Sequence, residues 1–277
     1  TMTNSKPLIS VVMPAHNSQK YLPSAIESIL NQTFKKFELI IVNDASTDDT
    51  SKTIKSFIKK DSRIRLINNK KRLDIAGSLN NGIAKAKAPI IARMDADDIS
   101  LPNRLELQYK LINSSKKIAA VGTDIIIMDP KEKDIATRTY PEDPKNLKAC
   151  MFKYSPFAHP VVMFRKKVFE EVGGYNPKYS PTEDLDLWFR MGMKHEFRSI
   201  PKLLLRYRLS EGSSSHSLMR HLEILVFKIR LDAITKYGYR PNFFDIIYNF
   251  LQFGTLWITP WKYRIKIYNF LRSNNII

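Results

Sequence analysis

The sequence holds a single cysteine, Cys150, in 277 residues. No internal disulfide can form, so small disulfide scaffolds are excluded and a reducing compartment is the expectation. Glycine is scarce, with nine residues beside fifteen prolines, which excludes collagen-like and low-complexity chains. No Gly-x-Gly-x-x-Gly follows the first strand-like run, and no Gly-x-x-x-x-Gly-Lys-Ser/Thr occurs anywhere. Both a dinucleotide fingerprint and a P-loop are therefore disfavoured. Cysteine and histidine never cluster at zinc-finger spacing. The longest uncharged window, between Asp245 and Lys262, is broken by Asn249, Gln252, Gly254 and Pro260. It falls short of the roughly 20 apolar residues of a membrane span. The apolar run Leu8–Met13 ends at Pro14, too early for a leader segment. Acidic residues are also few: 27 against 45 Lys and Arg, a net charge of +18. Such a surface suits an anionic partner, whether nucleic acid, phospholipid or a phosphorylated substrate.

What remains is an α/β chain with 43% apolar residues, enough for a sizeable core. Short β-branched runs at Leu8–Met13, Phe37–Val42, Arg63–Asn68 and Pro89–Met94 predict strands. Between them, 18–31, 48–60 and 74–87 carry apolar residues at helical spacing, as with Leu22, Ala25, Ile26, Ile29 and Leu30. This alternation predicts βαβ units and a parallel sheet covered on both faces. A further strand is expected over Ile118–Met128. From about 130 to 212 the pattern is less regular and punctuated by eight prolines. From Leu218 onward the chain carries nine Lys or Arg, three Asp or Glu and 13 aromatics, on helices that look amphipathic.

In sheets of this kind ligands bind beyond the carboxyl ends of the strands. The residues just after the predicted strands are Pro14-Ala15-His16-Asn17, Asn43-Asp44-Ala45-Ser46-Thr47-Asp48 and Asp95-Ala96-Asp97-Asp98. Three carboxylates in four residues suit a hard divalent cation such as Mg²⁺ or Mn²⁺. They equally suit the acidic first turn of a helix opening near Pro102. Asp44 can accept the N–H of a pyrimidine imide, while Ser46 or Thr47 caps the next helix. Glu183 and Asp184 read as a helix start with Ser180 in a capping box, or as a general base presented by that helix.

In order along the chain stand Ser10–Asn17, Glu38–Asp48, Asn80-Asn81-Gly82-Ile83, Asp95–Asp98 running to Pro102-Asn103-Arg104-Leu105, and Glu183-Asp184-Leu185-Asp186-Leu187-Trp188. Together they resemble family 2 glycosyltransferases of the GT-A fold over about residues 7–212. The resemblance implies a Rossmann-like, mostly parallel sheet flanked by helices. A nucleotide-sugar half would span 7–128 and an acceptor half 129–212, followed by a helical, aromatic and basic extension over 213–277. It implies that Pro14, Ala15, His16, Asn17 and Asp44 bracket the base of the donor, with Asn80, Ala96, Arg206 and Arg208 also at the donor. Asp95 would face the ribose or the metal, and Asp97 would ligate Mn²⁺ or Mg²⁺ at the diphosphate. Asp184 would deprotonate the acceptor hydroxyl, with inversion, and His159, Glu183 and Trp188 would line the acceptor side.

Three departures stand out. His16 occupies a position the family commonly fills with an aromatic, and Leu79 stands where an arginine is frequent. Tyr207-Arg208-Leu209-Ser210 lacks the histidine of a Tyr-Arg-x-His, for which Arg206, Arg208 or His216 could substitute. The implied activity is transfer from a nucleotide-sugar, preferably UDP-linked, to a glycan or lipid-linked glycan in surface-polysaccharide synthesis. The implied location is the inner face of the cytoplasmic membrane, with 218–277 either touching anionic lipid or packing on protein. A nucleic-acid-binding protein and a catalytically idle GT-A adaptor are the alternatives. No readable nucleic-acid module and dispersed basic residues count against the first.

Overall fold

The structure is a computed structural model that describes residues 6–209 and 216–273. Its first half follows the predicted alternation: β1 (Ile9–Ala15), α1 (Leu22–Leu30), β2 (Phe37–Asn43), α2 (Thr50–Ile58), β3 (Ile64–Asn68), α3 (Asp74–Ala84) and β4 (Ile90–Arg93). These four strands pair in parallel in the order β3-β2-β1-β4. Their near-continuous apolar sequences reflect burial on both faces. Side chains alternate across the sheet. Val12, Ile40, Val42 and Ile91 pack in one core with α3, whereas Val11, Met13, Leu39 and Ala92 pack in the other with α1. Helix α1 supplies Leu22, Ala25, Ile26 and Ile29 as one buried face and carries a proline in its first turn, where no amide hydrogen bond is lost.

The second half completes one mixed sheet. It contains β5 (Ile99–Ser100), α4 (Arg104–Ile112), β6 (Ile118–Met128), β7 (Asp134–Arg138), α5 (Pro144–Cys150), β8 (Met163–Arg165), α6 (Lys166–Glu171), α7 (Glu183–Gly192) and β9 (Glu196–Arg208). Strand β8 inserts antiparallel between β4 and β6, β6 runs parallel to β9, and β5 closes antiparallel on β9. The proline-rich irregularity of this half hid β9 from periodicity. Pro201 lies where the β6–β9 register shifts, between the pairs Thr123–Ile200 and Asp124–Leu203. A proline is tolerated in a strand at such an irregularity, because no ladder amide is needed there.

Helices α8 (His216–Thr235), α9 (Phe243–Gly254) and α10 (Trp261–Ser273) follow. Leu225, Ile229 and Ala233 of α8 enter the same core as Trp188 and Phe189 of α7. Buried Arg230 donates to the Met151 carbonyl, Asn249 and Gln252, and the Tyr179 hydroxyl meets Asp232 at 2.5 Å. Helix α9 starts in a capping box between Asn242 and Asp245. Phe243, Phe244, Phe250 and Leu251 on α9 are each more than 60% exposed. No helix among the described residues is long and apolar enough to cross a membrane.

Candidate active site

The carboxyl ends of β1, β2, β3 and β4 open on a cleft of about 400 Å³ lined by Pro14–Ser18, Tyr21, Asp44, Arg72, Asp74, Ile75, Ser78 and Asp95–Asp97. Hydrogen bonds between loops build its walls. Asp44 N–H donates to the Ala15 carbonyl at 2.8 Å, and His16 Nδ1–H donates to the Asp44 carbonyl at 2.8 Å. With Nδ1–H committed to that carbonyl, Nε2 is the ring nitrogen left for a ligand. Asn17 Oδ1 accepts from the Thr47 amide at 2.8 Å, and Asn17 N–H donates to Ser46 Oγ. Asp44, 4% exposed, commits Oδ1 to Asn69 Nδ2 (2.7 Å) and the Leu73 amide (2.9 Å). Three non-glycine residues on this rim, Asn17, Ala45 and Asp74, have φ near +50°. Asn and Asp tolerate that region; Ala45 costs about 1 kcal/mol, sustained by the surrounding bonds.

The acidic cluster occupies the end of β4. One oxygen each from Asp95, Asp97 and Asp98 lies within 4.8 Å of the others. Burial first, and the Asp95 charge second, push the Asp97 carboxyl up to about 6. Asp98 is driven well above the ordinary range by burial and then by Asp95 and Asp97. Asp98 is fully buried, accepts the Arg208 amide at 2.8 Å on Oδ1 and leaves Oδ2 without a partner. Three carboxylates this close, with the proton affinity of Asp97 and Asp98 raised and Asp98 Oδ2 left without a partner, are a donor set that fits a hard divalent cation. Asp95 and Asp97 line the cleft and would hold it, while Asp98 faces inward. The alternative of an acidic first turn does not describe the cluster, since β5 separates it from α4, whose N-cap is Asn103. Likewise α2 begins after Asp49, with Asp48 rather than Ser46 or Thr47 accepting the Thr50 amide.

The residues expected at the acceptor gather at the start of α7, which opens after Thr182 without a side-chain cap rather than at Ser180. Glu183 is 1% exposed; burial and then the adjacent Asp184 lift its carboxyl to about 7. Asp184 accepts from Ser155 Oγ at 3.1 Å. Its pKa is raised by burial, against the pull of Ser155, the Leu185 amide, Arg93 and Trp188. His159 shares a 2.8 Å hydrogen bond between Nε2 and the Tyr175 hydroxyl, and its Nδ1 stands 3.9 Å from Glu183 Oε1. Burial and then Arg93 push His159 well below its usual range, so it is neutral at pH 7.

Several expected residues stand elsewhere. Trp188 is fully buried and packs edge-on against Phe157, Phe164 and Phe197, so it is a core residue and not an exposed pocket floor. Arg206 does not line the cleft; it donates to Asp134 and the Glu132 carbonyl on the β6–β7 connection. Asn80 clamps the Tyr175 backbone through both ends of its amide (3.0 and 2.8 Å) and does not line the cleft either. Arg208 does not line the cleft but braces its acidic end, donating to the Asp97 carbonyl and stacking on Tyr21, 4.0 Å from the ring centre. The side chain of His216 lies outside the described residues. Arg72, Asp74 and Arg93 were missed. The first two follow β3, where the same strand-end rule applied to the other strands would have found them. Arg93 is a lone cation in an otherwise apolar buried strand.

A sequence profile for "Glycosyl transferase family 2" matches residues 10–173. The O-antigen biosynthesis glycosyltransferase WbnJ of Escherichia coli is 34% identical over 88% of this chain and 96% of its own length. The putative glycosyltransferase EpsE of Bacillus subtilis (strain 168) is 36% identical over 76% of each chain. Among solved structures, the mannosyltransferase PcManGT of Pyrobaculum calidifontis, in complex with GDP-Man and Mn²⁺, superposes with a TM-score of 0.66. The identity is 15%, over 93% of this chain and 72% of that one. The S. aureus TarS 1–349 complex with UDP gives 0.64 at 16% identity, over 83% and 67% of the two chains. At those identities the likeness is one of fold.

Proposed function

The chain belongs to glycosyl transferase family 2, and on that premise we propose that it moves a sugar, with inversion, from a UDP-sugar to a hydroxyl of a surface-glycan acceptor. The observation that carries this reading is the convergence of Asp44 on one wall of the cleft and Asp95 and Asp97 on the other. Asp44 suits the imide N–H of a uracil, and His16 Nε2 and the Asn17 loop border the same wall. TarS was solved with UDP and PcManGT with GDP-Man and Mn²⁺. Those ligands frame the two base classes to be tested here. A cation held by Asp95 and Asp97 would supply charge neutralisation for the diphosphate.

Asp184 takes the proton of the acceptor hydroxyl as its oxygen attacks the anomeric carbon. The bond from that carbon to the diphosphate oxygen breaks, and its electron pair leaves with the nucleoside diphosphate. An aspartate of ordinary pKa is a weak base for an alcohol; burial of Asp184 strengthens it. Positioning of the acceptor hydroxyl against the anomeric carbon supplies much of the remainder. The domain plan is a catalytic unit over 7–212 with 213–277 as its extension. The exposed Phe243, Phe244, Phe250 and Leu251 of α9, with the exposed Arg240 and Lys266 nearby in sequence, support peripheral contact with an anionic membrane. A lipid-linked acceptor at the cytoplasmic face would give that contact its purpose.

Calorimetric titration of UDP, GDP, CDP and dTDP, each with Mn²⁺ and with EDTA, tests the donor assignment. Metal-dependent binding of UDP alone, or of UDP and dTDP, is expected. Preference for GDP would refute the role of Asp44. Co-sedimentation with phosphatidylglycerol vesicles tests the membrane contact: binding is expected to fall at least tenfold in Phe243→Asp/Phe250→Asp. Equal binding by the variant would overturn that face.

A further inference from the structure

Arg93 ends β4 with its guanidinium 2% exposed. Strand alternation puts it on the face of Ile91, in the core shared with Phe164 and Trp188. Its Nη1 stands 2.5 Å from Asp95 Oδ2 in an ion pair without an aligned N–H, and its Nε makes no hydrogen bond. Arg104 is buried to the same degree and shows what a structural arginine does. It donates to Gln108, to Met94 Sδ and to the Arg93 carbonyl. Arg93 satisfies far less, yet acids surround it. Its charge acts on Asp95, Tyr175 and Asp98, and on Asp97, Glu183 and Asp184. A guanidinium that forgoes hydrogen bonds amid carboxylates of two separate chain segments is placed for its charge.

We propose that Arg93 is the positioning residue that joins the two halves of the site, its buried charge holding Asp95 at the donor edge and keeping Asp184 ionised to take the acceptor proton. This rests on Asp184 being the base proposed above. The groups that act on Asp184 are Glu183 and Trp188 from its own helix, Arg93 from β4, Tyr175 from the segment before α7, and the neutral Ser155 hydroxyl, while His159 stands against Glu183. Tyr175 also feels Asp95, so the donor edge lies within electrostatic reach. Of these, only Arg93 is a cation at pH 7, because His159 is neutral. Glu183 already tends to keep its proton beside Asp184; without Arg93, Asp184 would be buried with no compensating cation and would tend to keep its own proton as well.

The test is a carboxyl ¹³C NMR titration of the full chain, first with EDTA and then with Mg²⁺. The Asp184 resonance is assigned by its loss in Asp184→Asn. Wild-type Asp184 is expected to be ionised at pH 7; a protonated Asp184 there overturns the proposal with no variant required. In Arg93→Met the Asp184 midpoint is expected to rise by about one pH unit or more. Arg93→Lys, which keeps the charge, is expected to restore most of it. Should the methionine variant not fold, Arg93→Gln carries the same expectation. An unmoved midpoint in either neutral variant would show Arg93 to be packing only. The titration needs neither donor nor acceptor, so it stays readable if nucleotide binding fails and with it the glycosyl-transfer reading.

Discussion

Replacing Glu183 by glutamine is expected to remove a pH-dependent loss of stability. The side chain is 1% exposed, Oε2 has no partner, and burial with the Asp184 charge lifts its pKa from 4.5 to about 7. Below pH 4.5 the folded and unfolded chains both hold this proton, and the group adds nothing to the pH dependence. As pH rises from 4.5 to 7 the unfolded chain releases the proton while the folded chain keeps it, so stability falls. Above about 7 the loss is complete. At about 1.4 kcal/mol per pH unit it amounts to roughly 3 kcal/mol. Glutamine cannot ionise, so Glu183→Gln escapes this loss. Removing the charge also eases Asp184, which adds in the same direction. Asp97 and Asp98 titrate in both proteins and largely cancel in the comparison. The assay is urea unfolding of both proteins in EDTA at pH 4.5 and pH 8. Any fixed cost of the amide appears equally at both pH values. The stability of the variant relative to wild type is expected to improve by about 3 kcal/mol between the two. If the two stability curves run parallel, Glu183 is not a buried acid of raised pKa and the electrostatic account of the Glu183–Asp184 pair is wrong.

Other outcomes follow from the same geometry. Asp184→Asn is expected to keep Mn²⁺-dependent UDP binding and lose transfer by about 10²- to 10⁴-fold, read in a donor-consumption assay; transfer at the wild-type rate would remove Asp184 as base. Asp97→Asn is expected to weaken UDP binding in Mn²⁺ at least tenfold while matching wild type in EDTA, by calorimetry. Equal affinities in Mn²⁺ would take Asp97 out of the metal set. Gly82→Ala places a Cβ 2.6 Å from a Val12 methyl and 2.8 Å from a Val42 methyl, between α3 and the sheet. A loss of about 1–3 kcal/mol in urea unfolding is expected despite the better helix propensity of alanine. A more stable variant would mean that α3 can lift off the sheet freely.

Much of this protein was legible before its structure. The runs at β1, β2, β3 and β4 and the helical spacing of α1 are local signals, because strand and helix periodicities are written in neighbouring residues. The rule that ligands meet strand ends then put Pro14–Asn17, Asp44 and Asp95–Asp97 on one edge, and the cleft contains all of them. Neither signal reaches across the chain. Glu183 and Asp184 looked like an ordinary acidic helix start; their burial within reach of the Arg93 charge depends on β4 and α7 sharing one core across some ninety residues. Trp188 and Arg206 had side chains of the right kind, but packing turned one into the core and pairing turned the other toward Asp134. Strand β9 was concealed by Pro201, which only a register shift against β6 makes compatible with a sheet. The chain's own pattern determined which segments become strands and which loops hold acids. The tertiary structure alone decided which way each side chain faces and which charges share a dry interior, because both depend on contacts between residues far apart in sequence.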